Sequence, residues 1–139
     1  MGVISDRERA FLTRRRIGHL ATADARLLPH LVPVCFALCG DTLYTAVDEK
    51  PKRVRTLKRL SNIVENPHAS FLADHYDEDW SRLGWVRIDG NAEILEAGRE
   101  CDCACILLVE RYKQYAAMRL DPVIAVRAVR TRSWGALDW

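Results

Sequence analysis

The residues best suited to chemistry form a compact cationic block. Six of the ten positions from Lys50 to Arg59 are basic and none is acidic, whereas the whole chain carries a formal net charge of only +2. The rest of the chain is therefore net negative, and the positive charge is concentrated rather than spread. Pro51 suits the first turn of a helix, where its missing N–H costs nothing. A helix over 51–60 would place Lys52, Arg55 and Arg59 at i, i+3 and i+7 on one face. Val54, Leu57 and Leu60 would lie on another, apolar side. Such a surface attracts a polyanion, whether a phosphate ligand, a nucleic acid or a membrane, and a simply solvated helix face is the alternative. Near-neutral overall charge argues against nucleic acid, because domains of that kind are usually basic throughout.

No other constellation competes. The four histidines are scattered at 19, 30, 68 and 75, and none stands beside a nucleophile in sequence. There is no GxGxxG and no GxxxxGK[ST], so a phosphate would be held mainly by side chains. The five cysteines include no CxxC pair. Cys101, Cys103 and Cys105 alternate, so in a helix Cys101 and Cys105 share a face while Cys103 points away. They read as small buried hydrophobes, and no metal site is expected. Tyr76, Trp80 and Trp85 gather around one acidic loop. They could wall a planar conjugated ligand or simply bury against the fold.

These groups need a scaffold to position them. A chain of 139 residues with 49% apolar and 29% charged side chains is an ordinary single globular domain, here 1–139. Nothing approaches a membrane span. The charged start of the chain is not a secretory signal, so a cytoplasmic location is expected. Ser5 and Glu8 form a capping box for a first helix reaching about Arg15. Strands are expected over 17–22, 28–38 and 42–47. The basic helix follows, then strands over 69–75 and 85–95, a helix over 99–115, and a last strand over 122–129. Pro29 and Pro33 mark an edge, a bulge or a ligand-facing bend. Asp89-Gly90 marks a bulge or a bend. Turns this short join antiparallel strands, and strands in this pattern can close into a small barrel with helices at its rim.

The residues then assemble into a resemblance. Gly18-His19-Leu20-Ala21-Thr22 and the run from Pro29 to Phe36 resemble the start of the pyridoxamine-phosphate-oxidase-like split barrels. Lys50-Pro51-Lys52, Asn62-Ile63 and Asn66-Pro67 continue it. Asp74-His75-Tyr76, Asp79-Trp80-Ser81 and Trp85-Val86-Arg87-Ile88-Asp89-Gly90 resemble more narrowly the actinobacterial branch that binds the deazaflavin coenzyme F420. This resemblance implies an antiparallel split β-barrel of α+β class, FMN-binding-like, dimerising with itself so that two cofactor clefts lie between protomers. It implies that the cofactor ring lies along Pro33, Val34, Cys35 and Phe36, with Val47 nearby. It assigns the phosphate and acidic tail to Lys50, Lys52, Arg53, Arg55, Lys58 and Arg59, with Trp80 and Trp85 closing the cleft, from the other protomer. The implied chemistry is hydride transfer from reduced F420 to a small electron-poor substrate. An FMN enzyme of the same fold and a non-catalytic cofactor binder are the alternatives. Gly84 departs from the pattern, which has an aromatic more often, and implies a more open cleft wall.

Overall fold

The computed structural model describes residues 2–47 and 57–139. Seven antiparallel strands make one sheet in the order β2-β1-β5-β6-β7-β4-β3. They are β1 (Gly18–Ala23), β2 (Pro29–Val34), β3 (Ala37–Cys39), β4 (Thr42–Ala46), β5 (His68–His75), β6 (Gly84–Leu95) and β7 (Val123–Gly135). The two edge strands, β2 and β3, are separated in sequence only by Cys35 and Phe36. Two residues span less than about 10 Å between the flanking strands, so the sheet must curl until its edges nearly meet. That is the split-barrel architecture. The expected strand over 28–38 is therefore two strands on opposite edges, and the bend between them falls just after Pro33.

Alternation sets the inside and outside of this curved sheet. Leu20, Phe71, Ala73, Val86, Ile88, Ile124 and Val126 face inward and are fully or almost fully buried. They pack with Phe11, Leu12, Phe36, Leu43 and Ile63 into the main core. Helix α1 (Asp6–Thr13) starts at the expected capping box: Glu8 N–H donates to Ser5 Oγ and Ser5 N–H donates to Glu8. It ends two residues earlier than expected. Helix α3 (Arg99–Arg111) buries Cys101, Ala104 and Leu108 in a second core with Tyr44, Ala46, Val123 and Ala125. It too stops short of expectation. Tyr112 leaves the helix and a 3-10 turn follows at Lys113–Ala117.

Cys101 and Cys105 lie on the packed side of α3 and Cys103 is exposed, as the spacing requires. Burial pushes both inner thiols up from their ordinary range, away from the thiolate form that reacts.

The register of β6 against β7 shifts at Asp89/Gly90, where the sequence marks a bulge. A Cβ on Gly90 would sit 2.2 Å from the Arg127 carbonyl oxygen, so the strands approach there as only glycine permits. Strand β7 runs six residues beyond the expected Val129. Its outer half, from Val129 to Trp134, is mostly exposed and carries no inward alternation for a sequence to display. Gly84 does not open a wall. It is buried, and a Cβ there would meet the Ala136 carbonyl oxygen at 2.3 Å. The backbone of the chain's end fills the space.

Candidate functional site at the strand corner and outer sheet face

The corner between β2 and β3 is held from outside. The Tyr112 hydroxyl accepts the Phe36 N–H at 3.1 Å and an Arg111 guanidinium N–H at 3.3 Å. Its own proton points to the carbonyls of Arg16 at 2.9 Å and Phe36 at 3.1 Å. Arg111 reaches the carbonyls of Thr13 and Arg15 and lies 4.9 Å from the Phe36 ring centroid. The end of α1, the end of α3 and the corner are thus tied at one point. Within the corner, Val34 and Phe36 are buried, at 7% and 1% exposure. Their side chains serve the core, with Phe36 stacked obliquely on Phe71 at 4.7 Å. Pro33 is exposed, and Cys35, half-buried, packs against the second core. Val47 is buried at the end of β4.

Of the cationic block, Lys50, Lys52, Arg53 and Arg55 lie outside the described residues. The described helix α2 is Lys58–Glu65 with Leu57 as its extended N-cap, and the expected start at Pro51 lies outside the described residues. Its first turn holds no acid, and Lys58 and Arg59 stand at its start. Lys58 Nζ lies 3.3 Å from the Asp24 carboxylate. The N–H groups of Leu28 and Arg26, together with Lys58, hold Asp24 below the usual carboxylate range against the opposing effect of burial. Arg59 has a buried Nε with no hydrogen-bond partner among the described residues. Asn62, fully buried, donates to Thr22 Oγ1 at 3.1 Å and fixes α2 on the end of β1.

Trp80 and Trp85 sit elsewhere. Trp80 is 70% exposed in a 3-10 turn (Trp80–Arg82). Trp85, half-buried, pairs with Asp74 on one side and Trp134 on the other. By the β1–β5 register, Asp74 falls five positions along the strand from Thr22. That is about 17 Å at 3.3–3.4 Å per residue. Within the chain the tryptophans and the α2 cations therefore lie toward opposite ends of the sheet.

Between them the outer face of β2, β1, β5, β6 and β7 is laid out in rows. One runs Pro33, His19, Leu72, Arg87, Arg132, and the next runs Leu31, Ala21, Ser70, Asp89, Arg130. Two adjoining hollows of about 610 and 440 Å³ open on this face and share Ala21 and Ser70. Asp89 accepts from Ser70 Oγ at 2.6 Å and from Arg87 and Arg130 at 3.3 Å each. Burial alone would raise its carboxyl, but these partners outweigh burial and hold it below the usual range. Leu31, Leu72, Val129 and Trp134 are all exposed around it. This face was not legible as a site. Its signal in the sequence is faint: apolar residues at both parities, as in Leu31-Val32 and Phe71-Leu72, mark strands used on both sides.

The family model for pyridoxamine 5'-phosphate oxidase matches residues 4–135. The chain belongs to that family. Among solved structures it is similar to a conserved hypothetical protein of Mycobacterium tuberculosis, Rv2991, at 27% identity and TM-score 0.76, covering 96% of this chain and 86% of that one. A heme binding protein from Mycobacterium smegmatis matches at 22% identity and TM-score 0.74, over 97% of this chain and 56% of that one. An FMN-binding protein from Syntrophomonas wolfei matches at 16% identity and TM-score 0.72, over 94% and 85%. No curated protein sequence matches the chain. The family is that of the sequence resemblance, and the fold is shared by neighbours that bind different planar cofactors. Among the described residues no helix is long and apolar enough to cross a membrane.

Proposed function

We propose that the chain is an oxidoreductase that binds coenzyme F420 in a cleft between two copies of itself and passes hydride from it to a small electron-poor molecule. The observation that carries this is the surplus of cation: six basic residues in the ten from Lys50 to Arg59. One phosphate, as on FMN, is satisfied by two or three such groups, whereas a phosphate followed by an acidic tail uses the whole run. The unpartnered Nε of Arg59 and the acid-free first turn of α2 fit an anion there, since a helix start favours negative charge. Pro33 offers the ring an edge on the outer face, level with His19 and three positions along β1 from Thr22, where α2 is anchored. The exposed apolar residues of the outer face support pairing of two copies, because patches of this kind mark interaction sites. The cofactor supplies the hydride chemistry, and the protein binds it, orients it and excludes water.

The test is a side-by-side fluorescence titration with F420 and FMN on protein whose mass in solution is measured in parallel. F420 is expected to bind at micromolar affinity or better, to a species of twice the 15.9 kDa chain mass. Lys58→Ala and Arg59→Ala should each weaken it roughly three- to tenfold, about one charge-assisted hydrogen bond at a part-exposed site. FMN bound in place of F420 would make the protein a flavin enzyme of the same fold. Tight F420 binding with no turnover of quinones, nitro compounds or enones would make it a carrier.

A further inference from the structure

The hollow of about 440 Å³ on the outer face is lined by His19, Leu31, Leu72, Asp74 and Arg87, with Ala21 and Ser70 at its floor. Its layout follows from the register. His19 pairs with Pro33 on β2 and with Leu72 on β5, and Leu72 pairs with Arg87 on β6. Two hydrogen-bond donors thus flank one apolar residue in a single row. Adjacent strands are about 4.8 Å apart, so the two backbones stand about 10 Å apart, a span that the two side chains close on a ring lying over Leu72. Arg87 spends Nε on Asp89, which leaves its terminal nitrogens for the hollow. Leu31 and Leu72, at 67% and 38% exposure, supply the apolar bed. Asp74 stands on the same face two residues beyond Leu72. Its negative charge bears against a carboxylate-bearing guest. The charged and titratable groups around His19 are then Asp74 from β5 and Arg87 from β6, while β2 contributes only Pro33 and Leu31.

We propose that this hollow is the acceptor pocket of the redox site. Its chemistry fits an uncharged planar molecule with a carbonyl oxygen at each end, one taking a hydrogen bond from His19 and the other from Arg87. His19 also supplies the proton of the reduction. The inference rests on the cofactor reading above, because Pro33, next to His19 in the row, is the exposed residue of the corner assigned to the ring. The reaction balances as a two-electron reduction. The acceptor gains a hydride from the reduced cofactor and one proton from the His19 imidazolium. Both carbonyls become hydroxyls, and the neutral imidazole recovers its proton from solvent.

The experiment uses the full chain loaded with oxidised F420 and the probe menadione. Binding is followed by the imidazole resonances of protein labelled with 15N-histidine. The His19 resonance is expected to shift on titration, identified by its loss in His19→Gln. His19→Gln and Arg87→Gln should each raise the menadione Kd about tenfold, the worth of one hydrogen bond to a charged donor, while F420 affinity stays unchanged. With reduced F420, His19→Gln should lower kcat about a hundredfold, the usual contribution of a placed proton donor. Failure of F420 to bind would defeat the cofactor reading and this inference together. Normal F420 loading with an unmoved His19 resonance, with wild-type menadione affinity in both variants, or with benzoate held more tightly than menadione, would overturn this inference alone.

Discussion

Tyr112→Phe removes one oxygen and leaves the ring, so it isolates the hydroxyl that pins the strand corner. The ring keeps its place against Tyr115 at 5.6 Å and beneath the Arg16 guanidinium at 4.6 Å. What is lost is the acceptor for the Phe36 N–H, on a residue 1% exposed. A buried donor left without a partner costs about 1–3 kcal/mol. Tyr112 itself is only half-buried and water can relieve part of the loss, so about 1–2 kcal/mol is the working figure. For a chain of this length one kcal/mol moves Tm by roughly 3–4 °C, which puts the drop at about 3–8 °C by circular dichroism. The corner also carries Pro33 and Cys35, so the looser corner should weaken F420 binding in the same titration, by several-fold. A variant melting within about 1 °C of the wild type would refute the claim that the hydroxyl closes the corner. A lowered Tm with unchanged cofactor affinity would separate the corner from the site.

Two other perturbations test neighbouring parts of the structure. Arg127 bonds Glu100 through both terminal nitrogens, and Glu100 also accepts the Tyr44 hydroxyl at 2.6 Å. The Arg127 guanidinium first, then the Tyr44 hydroxyl, hold the Glu100 carboxyl down at about 2 from an ordinary 4.5. A lowered carboxylate stabilises the fold above its unfolded pKa and loses that contribution as pH falls. Wild-type Tm should therefore decline relative to Glu100→Gln between about pH 4.5 and 2, and thermal melts of both proteins across that window check it. Gly84→Ala places a methyl against the Ala136 carbonyl oxygen, a backbone contact that cannot swing aside. It should cost about 1–3 kcal/mol, as overpacking does, read by urea unfolding. An unchanged midpoint would mean that the segment after β7 moves freely off Gly84.

Much of the scaffold was legible because each piece had a local cause. The capping box at Ser5 and Glu8, the bulge at Asp89/Gly90 and the paired faces of Cys101 and Cys105 each follow from residues within a turn or two of one another. The misses share a different cause: they depend on what a segment meets in space. The split of β2 from β3 is imposed by sheet curvature, not by any breaker between Val34 and Ala37. The far half of β7 is a strand because β6 lies beside it, and its exposed residues give no period. The end of α3 at Arg111 is set by Tyr112 turning to the corner, a contact across 76 residues of chain. For the same reason Val34 and Phe36 read as ring contacts although the core claims their side chains. His19 and Arg87, far apart in sequence, become neighbours across Leu72 only through the register.

The separation of Lys58 and Arg59 from Trp80 and Trp85 bears on how a complete cofactor site can be built. Both sets belong to motifs that follow one another in the chain, and they read as one site. In the fold, Asn62 anchors α2 at Thr22, while Trp85 lies beside Asp74, about 17 Å further along the sheet. A tricyclic ring with its phosphate at α2 leaves the same chain's tryptophans without a ligand to cover. On the proposed pairing, a two-fold axis running across the strands would resolve this, since it sets each end of one sheet face against the opposite end of the other. The cations of one copy and the tryptophans of the second would then flank one ligand, and the reverse pair would flank another. Val129 and Trp134, exposed on β7 outside the acceptor hollow, are where such a pair would touch. On this arrangement the monomer holds two half-sites, so cofactor affinity should fall together with dimerisation rather than independently of it.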